Sequence, residues 1–188
     1  NKDILISVDT YRAKTAEAAI EAGADIINDI SAMTFDEHMV EVAINYNVPV
    51  ILMHIKGTPK NMQKNPQYND VVKEVKEFFI DRIDYAVKKG LSRDKLILDP
   101  GIGFGKNFEH NMELIRKIDS FYDLNLPVLL AVSRKSSIGE ALGNVPVEER
   151  LEGTIAVSCF AAMKNVDIVR VHDVLENKRA IKMIEVLK

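Results

Sequence analysis

Short runs of β-branched and aliphatic residues alternate along the whole chain with longer amphipathic segments, the pattern of successive βα units that carry a parallel sheet. Strands are predicted at residues 4–8, in a run that opens at Asp3, and at 25–28, 48–53, 95–98, 128–132 and 168–171. Helices are predicted between them at 13–21, 36–45, 71–89, 111–120, 147–164 and 176–187. Across 71–83 the apolar residues return at helical spacing, so the charges interleaved with them form a solvated face.

Six units at roughly the 30-residue repeat of such a motif fit two architectures. One is an open, doubly wound sheet that is complete as it stands. The other is part of a (β/α)8 TIM barrel, which typically takes about 250 residues. The chain has 188, a shortfall of about two βα units. Because it opens at once into a strand-like run, those units are expected to precede residue 1.

With 47% hydrophobic residues, the chain can bury the core of one domain, expected to span 1–188. Lys and Arg total 25 against 28 Asp and Glu, a formal charge of -3, which argues against a sequence-independent grip on nucleic acid. No apolar stretch approaches the roughly 18 residues of a membrane span, and the N-terminus lacks a signal-peptide pattern. The single cysteine, Cys159, lies in an apolar run and is expected to be a buried, inert thiol in a reducing compartment, which suggests a cytoplasmic protein.

Nearly every predicted strand finishes in polar or Gly-rich residues: Asp9-Thr10, Asn28-Asp29, His54, Asp99-Pro100-Gly101, Ser133-Arg134-Lys135, and Arg170 with His172-Asp173. In parallel α/β folds these positions converge where active sites sit. Some members are ordinary strand-end chemistry: Asp29, Asp36 and Asp173 are expected as caps, turn formers or surface residues. His38 and His110 are expected to be solvated. Arg170 and His172, two apart on a strand, face the same side and suit an anion. An unpaired Arg inside a strand is costly unless a ligand answers it.

Asp99 is followed by Gly101, Gly103 and Gly105, alternating with Ile102, Phe104 and Lys106. Such a loop can bring its backbone close to a ligand while Phe104 offers a flat face. Lys106 stands where a third dinucleotide-binding glycine would be, and Asn107 where a P-loop needs Ser or Thr, so neither motif applies. Together with Asp99, the loop reads as a site for a planar ring. No His/Cys/Asp/Glu cluster has structural-zinc spacing. A phosphate-bound Mg²⁺ needs only one or two protein ligands and fits this pattern.

The runs Ile6-Ser7-Val8-Asp9-Thr10, Ala22-Gly23-Ala24-Asp25-Ile26-Ile27-Asn28-Asp29-Ile30, Leu52-Met53-His54, Leu98-Asp99-Pro100-Gly101-Ile102-Gly103-Phe104-Gly105-Lys106, Ser133-Arg134-Lys135-Ser136 and Val169-Arg170-Val171-His172-Asp173 together resemble the motifs of the dihydropteroate synthase family, in the family's order. The resemblance implies a (β/α)8 barrel, of which this chain carries strands 3 to 8. It would condense 6-hydroxymethyl-7,8-dihydropterin pyrophosphate with p-aminobenzoate in folate biosynthesis, releasing pyrophosphate. It also implies Mg²⁺ as cofactor, a homodimer, and sulfonamides as p-aminobenzoate mimics.

By the same resemblance the pterin site comprises Asp9, Asn28, Met53, Asp99, Phe104, Lys135 and Arg170. Asp99 accepts from the 2-amino and N3-H groups, Asn28 bonds the ring, Lys135 meets its carbonyl side, and Met53 and Phe104 form apolar walls. Ser133, Lys135 and Phe104 seat p-aminobenzoate, and Arg170 with His172 hold the pyrophosphate. Asp9, Asp99, Lys135 and Arg170 carry the catalytic role, with no metal ligand in this segment. The family's first two strands, with their Asn-Val-Thr-Pro-Asp-Ser and Ser-Thr-Arg-Pro loops, have no counterpart here, so 188 residues alone are expected to be poorly active. Two readings compete with the synthase. A corrinoid-type pterin methyltransferase should lack the Ser133–Ser136 run and the Arg170-x-His172 pair; a non-catalytic pterin-binding barrel fragment would bind without turnover.

Overall fold

Residues 4–188 are described by a computed structural model. Among them, six strands alternate with seven α-helices: β1 (Ser7–Asp9), α1 (Ala13–Glu21), β2 (Ile26–Asp29), α2 (Met39–Tyr46), β3 (Val50–Met53), α3 (Val71–Lys89), β4 (Leu96–Asp99), α4 (Phe108–Arg116), β5 (Leu129–Leu130), α5 (Ser136–Ala141), α6 (Leu151–Met163), β6 (Ile168–Val169) and α7 (Val174–Leu187). Asp3, part of the first predicted run, lies outside the described residues.

Every strand pair is parallel, and each strand pairs with its sequence neighbour: β1-β2-β3-β4 in one ladder, β5-β6 in another, joined by a parallel bridge between Leu98 and Val128. A doubly wound sheet would reverse its strand order at a switch point. This one never does, so the open-sheet alternative gives way to a barrel wall of six consecutive staves.

Local chemistry explains the element ends. The Asp70 side chain caps α3 by accepting from the Lys73 N–H at 3.0 Å, and Gly90 closes it in the left-handed conformation. α1 and α3 occupy their predicted spans, whereas α2 begins at Met39 rather than at 36, because the Asp36 carboxylate accepts from the backbone of Ala13 and His38. The helix predicted at 111–120 starts earlier, at Phe108, because Asn107 and His110 form a reciprocal capping box, and it tightens into a 3₁₀ turn over Ile118–Leu124. β5 and β6 are two residues each, shorter than predicted, and the short helix α5 has no counterpart in the prediction.

The larger core lies between the outer face of the strands and the helices, where Phe79 and Phe121 meet edge to face at 5.7 Å between ring centroids. The smaller core is inside the wall: Ile51, Leu129 and Ala131, flanked by Ile26, Ile97 and Ile168. Cys159 is a free thiol, half-buried rather than enclosed.

Candidate active site at the carboxyl ends of the strands

Because side chains alternate along a strand, the inside row is apolar deep in the wall and polar at its carboxyl end. Asp9 and Asn28 are direct partners across β1 and β2, as are Met53 and Asp99 across β3 and β4. A cavity of about 890 Å³ has Asp9, Asn28 and Arg170 at its polar end and Ile51, Ile97 and Leu129 along its apolar wall. A smaller cleft of about 120 Å³ is lined by Ala131, Ser133, Lys135, Arg170, Val171 and His172. Arg170 lines both.

Asp99 is only 3% exposed. Burial pushes its carboxyl pKa up, and Lys135, the Gly101 N–H, Lys106 and Arg170 all pull the other way. Burial likewise lowers the Lys135 pKa, against the opposing pull of Asp99. The Lys135 ammonium donates to the Ile102 carbonyl and stands 4.9 Å from the centroid of the Phe104 ring. Asn28 is buried, and its side-chain oxygen accepts no hydrogen bond among the described residues. A buried acceptor left unpaired costs stability unless a ligand supplies the donor. Arg170 Nη2 donates to Asp9 Oδ2 at 2.9 Å, while His172 is exposed at the rim, its backbone N–H donating to Ser133 Oγ at 3.1 Å.

The predicted residues therefore come together: Asp9, Asn28, Met53, Asp99, Phe104, Lys135 and Arg170 around the mouth of the barrel wall, with Ser133 and His172 on the β5–β6 side. Arg134 does not join them. Its guanidinium makes a two-pronged ion pair with Asp173, at 2.8 and 3.0 Å, and donates to the carbonyls of Val147 and Glu148. Asp29 is a turn former, accepting from Ser31 and Met33. His38 is exposed, as expected. His110 is half-buried rather than solvated: it completes the α4 cap and meets Tyr68 edge to face at 4.8 Å.

Sequence reasoning gave Lys106 no role. It is buried, and its ammonium lies 2.8 Å from His54 Nδ1 and donates to the carbonyls of His54, Gly101 and Phe104 at 3.3, 3.0 and 3.0 Å. The glycine loop is pressed onto the segment after β3, since a Cβ on Gly101 would sit 2.0 Å from the His54 carbonyl oxygen. Tyr68 and Gln63 from the same segment donate to the carbonyls of Gly105 and Gly103. The available signal was a cation placed directly between three alternate glycines and a helix N-cap.

Among the described residues, no group of three or more His, Cys, Asp or Glu side chains could hold a metal ion. Asp9, a partly exposed carboxylate of the site, is taken up by Arg170. These residues do not fit a dedicated Mg²⁺ site.

The pterin binding enzyme family profile matches residues 1–172. The chain is similar to the dihydropteroate synthase of Clostridium beijerinckii, 47% identical over 98% of this chain and 66% of that protein. It is also similar to the Yersinia pestis dihydropteroate synthase solved with a sulfonamide drug complex (TM-score 0.95, 40% identity, 98% of this chain and 67% of that one). The Xanthomonas albilineans enzyme in complex with 7,8-dihydropteroate is a third relative (TM-score 0.91, 35% identity, 98% and 67%). The chain spans 66% of the length of the Clostridium relative. Its neighbours are TIM barrels, and its six parallel staves are a part of one. In sequence and in fold, the chain belongs to the dihydropteroate synthase family of pterin-binding enzymes.

Proposed function

We propose that the protein to which these residues belong is a dihydropteroate synthase, condensing 6-hydroxymethyl-7,8-dihydropterin pyrophosphate with p-aminobenzoate to give 7,8-dihydropteroate and pyrophosphate. The observation that carries this reading is the set of complementary groups at the barrel mouth: a buried carboxylate, an unpaired buried amide oxygen and a half-buried ammonium beside an aromatic ring. A pterin edge offers N–H donors beside carbonyl and ring-nitrogen acceptors, which is the complement of that set. Asp99 and Asn28 receive the donors, Lys135 faces the carbonyl, and Met53 and Phe104 bound the ring. Relatives solved with 7,8-dihydropteroate and with 4-aminobenzoic acid support the substrate assignment.

In the reaction, the bond between the pterin methylene carbon and the pyrophosphate oxygen breaks, its electron pair leaving with pyrophosphate. The p-aminobenzoate nitrogen then bonds to that carbon and gives up a proton. Positive charge develops on the pterin side, where Asp99 and Asp9 would stabilise it, and negative charge on the leaving group, which Arg170 and His172 at the smaller cleft would hold. No side chain becomes covalently attached. Ser133 and Lys135 seat p-aminobenzoate in the smaller cleft. Mg²⁺, if bound with the substrate, would offset charge on the leaving group, but the described residues are not built to hold it and no step here depends on it.

Three further expectations belong to this reading. β1 and β6 each have one lateral neighbour among the described residues and the cavity opens between them, so residues 1–188 alone, read as a single barrel domain, would turn over poorly. α6 is apolar nearly all round, and the adjoining α7 exposes Val174, Leu175, Met183, Val186 and Leu187, which supports a homodimer. A cytoplasmic setting agrees with the free thiol of Cys159 and with folate synthesis. No helix among the described residues is long and apolar enough to cross a membrane. The deciding experiment supplies both substrates to the complete protein and follows pyrophosphate release and dihydropteroate formation. Stoichiometric product blocked by a sulfonamide is expected; pterin binding without product would favour a binding-only protein.

A further inference from the structure

Lys106 is the most enclosed cation of the molecule's functional end, 2% exposed, and no step of the proposed reaction uses it. Three carbonyl oxygens converge on its Nζ: those of Gly101 and Phe104, which frame the glycine loop, and that of His54, where β3 ends. With His54 Nδ1 at 2.8 Å, four acceptors surround a group that has three N–H donors even as an ammonium, so the longest contact, to the His54 carbonyl at 3.3 Å, shares a donor, and Nδ1 as an acceptor leaves the imidazole neutral with its proton on Nε2. The His54 ring is held edge to face against Phe78 at 4.8 Å, so the anchor on β3 is itself fixed by the helix layer.

We infer that Lys106 is a positioning residue of the pterin site, clamping the glycine loop to the end of β3 and supplying a fixed positive charge behind Asp99. The clamp explains why Gly101 and Gly105 lie so close to the His54 and Lys56 carbonyls, where a Cβ would come within 2.0 and 2.4 Å. It sets the height of Phe104, whose carbonyl it binds, and through the Gly101 N–H the orientation of the Asp99 carboxylate, 2.8 Å away. The charged groups facing Asp99 are Lys106 from the glycine loop, Lys135 from the β5–α5 turn and Arg170 just past β6. Burial pushes the Lys106 pKa well down, with Lys135 and Lys56 acting the same way and Asp99 opposing them; against that, a nitrogen ringed by acceptors alone is satisfied only in its protonated form. Removing Lys106 withdraws one of three cations from a buried carboxylate that must be ionised to accept two pterin N–H groups.

This inference rests on the proposed synthase reading and is tested in the complete protein with the Lys106→Met and His54→Ala variants. Steady-state kinetics are taken as a function of pH, together with the Kd of a pterin product analogue by calorimetry. In Lys106→Met, KM for the pterin substrate is expected to rise on the order of tenfold or more, the loss of charge-assisted hydrogen bonds. KM for p-aminobenzoate should move far less, and the acid limb of kcat/KM should shift to higher pH. His54→Ala, which removes one anchor and no charge, is expected to weaken pterin binding several-fold without moving the acid limb. If Lys106→Met does not fold, His54→Ala still decides: unchanged pterin binding in that variant overturns the clamp. A folded Lys106→Met with unaltered pterin KM and acid limb overturns the inference outright. An inactive parent protein would sink the synthase reading instead.

Discussion

The Arg170 guanidinium and the Asp9 carboxylate meet at 2.9 Å although 161 positions separate them, so the last stave of the described wall reaches back to the first at the carboxyl end of the strands. The pair is open to water, with the two side chains 60% and 47% exposed. At such exposure an ion pair contributes roughly 0–1 kcal/mol. Its value is therefore in what it holds ready: with Arg170 parked on Asp9, the guanidinium lines both cavities, the place the proposed reaction gives to pyrophosphate.

Arg170→Lys should accordingly leave the thermal midpoint nearly unchanged while reducing kcat/KM by about a hundredfold, because a lysine keeps the charge but loses the planar fork that grips a phosphate. Paired thermal melts and steady-state assays check this. A large drop in melting temperature with kcat/KM intact would mean that the pair is structural instead.

Asp99→Asn separates function from stability in the opposite way. Burial raises the Asp99 pKa above its unfolded value, so the folded state favours the protonated form: this residue's contribution to stability is greatest at acid pH and is lost as pH rises through the raised value. At neutral pH the raised pKa is therefore a cost to stability. The amide keeps an oxygen for the Gly101 N–H, so Asp99→Asn is expected to melt at higher temperature at pH 7.5 while pterin affinity falls by about two orders of magnitude. A lower melting temperature together with retained pterin affinity would contradict both halves.

The strand-end row was legible because a parallel fold brings every carboxyl end to one rim, and Asp9, Asn28, Asp99, Lys135 and Arg170 sit there. α1 and α3 were legible from apolar spacing alone. The extent of β5 was not: 128–132 is buried and apolar throughout, yet only Leu129 and Leu130 keep ladder geometry as the wall turns. Nor could the sequence tell Arg134 from Lys135. Adjacent cations after one strand look alike until the backbone of Arg134 turns left-handed, at φ 53°, sending one side chain to Asp173 and the other toward Asp99. Lys106 was hidden because its partners are carbonyls, which every residue carries.

His54 should be visible in the pH dependence of unfolding. Burial first, and then the nearby Lys106 and Lys56 charges, lower its pKa from 6.5 to about 2. A histidine with a depressed folded pKa contributes stability that is complete above its unfolded value and is lost as pH falls toward the folded one. Between pH 6 and pH 4 the parent protein should lose about 1.4 kcal/mol per pH unit from this one group, and His54→Asn should remove that share of the slope. Urea melts at three pH values in each protein measure it. Parallel slopes would mean that the imidazole is not held neutral.

The glycine loop gives the sharpest contrast within one motif. Gly101 and Gly103 both have positive φ, 67° and 84°, so alanine at either carries the left-handed penalty of roughly 1–2 kcal/mol. Their surroundings differ. At Gly101 the new Cβ would lie 2.0 Å from a backbone carbonyl that cannot retreat without breaking the end of β3, whereas at Gly103 the nearest atom is Lys135 Cδ at 3.6 Å, the middle of a flexible chain. Gly101→Ala should therefore express poorly or unfold at low urea. Gly103→Ala should fold with a modest loss and show its effect instead in pterin and p-aminobenzoate KM, because it leans on the stem of the lysine to which the proposed reaction gives both substrates. Comparable urea midpoints for the two variants would show that the glycine loop is not pressed against β3.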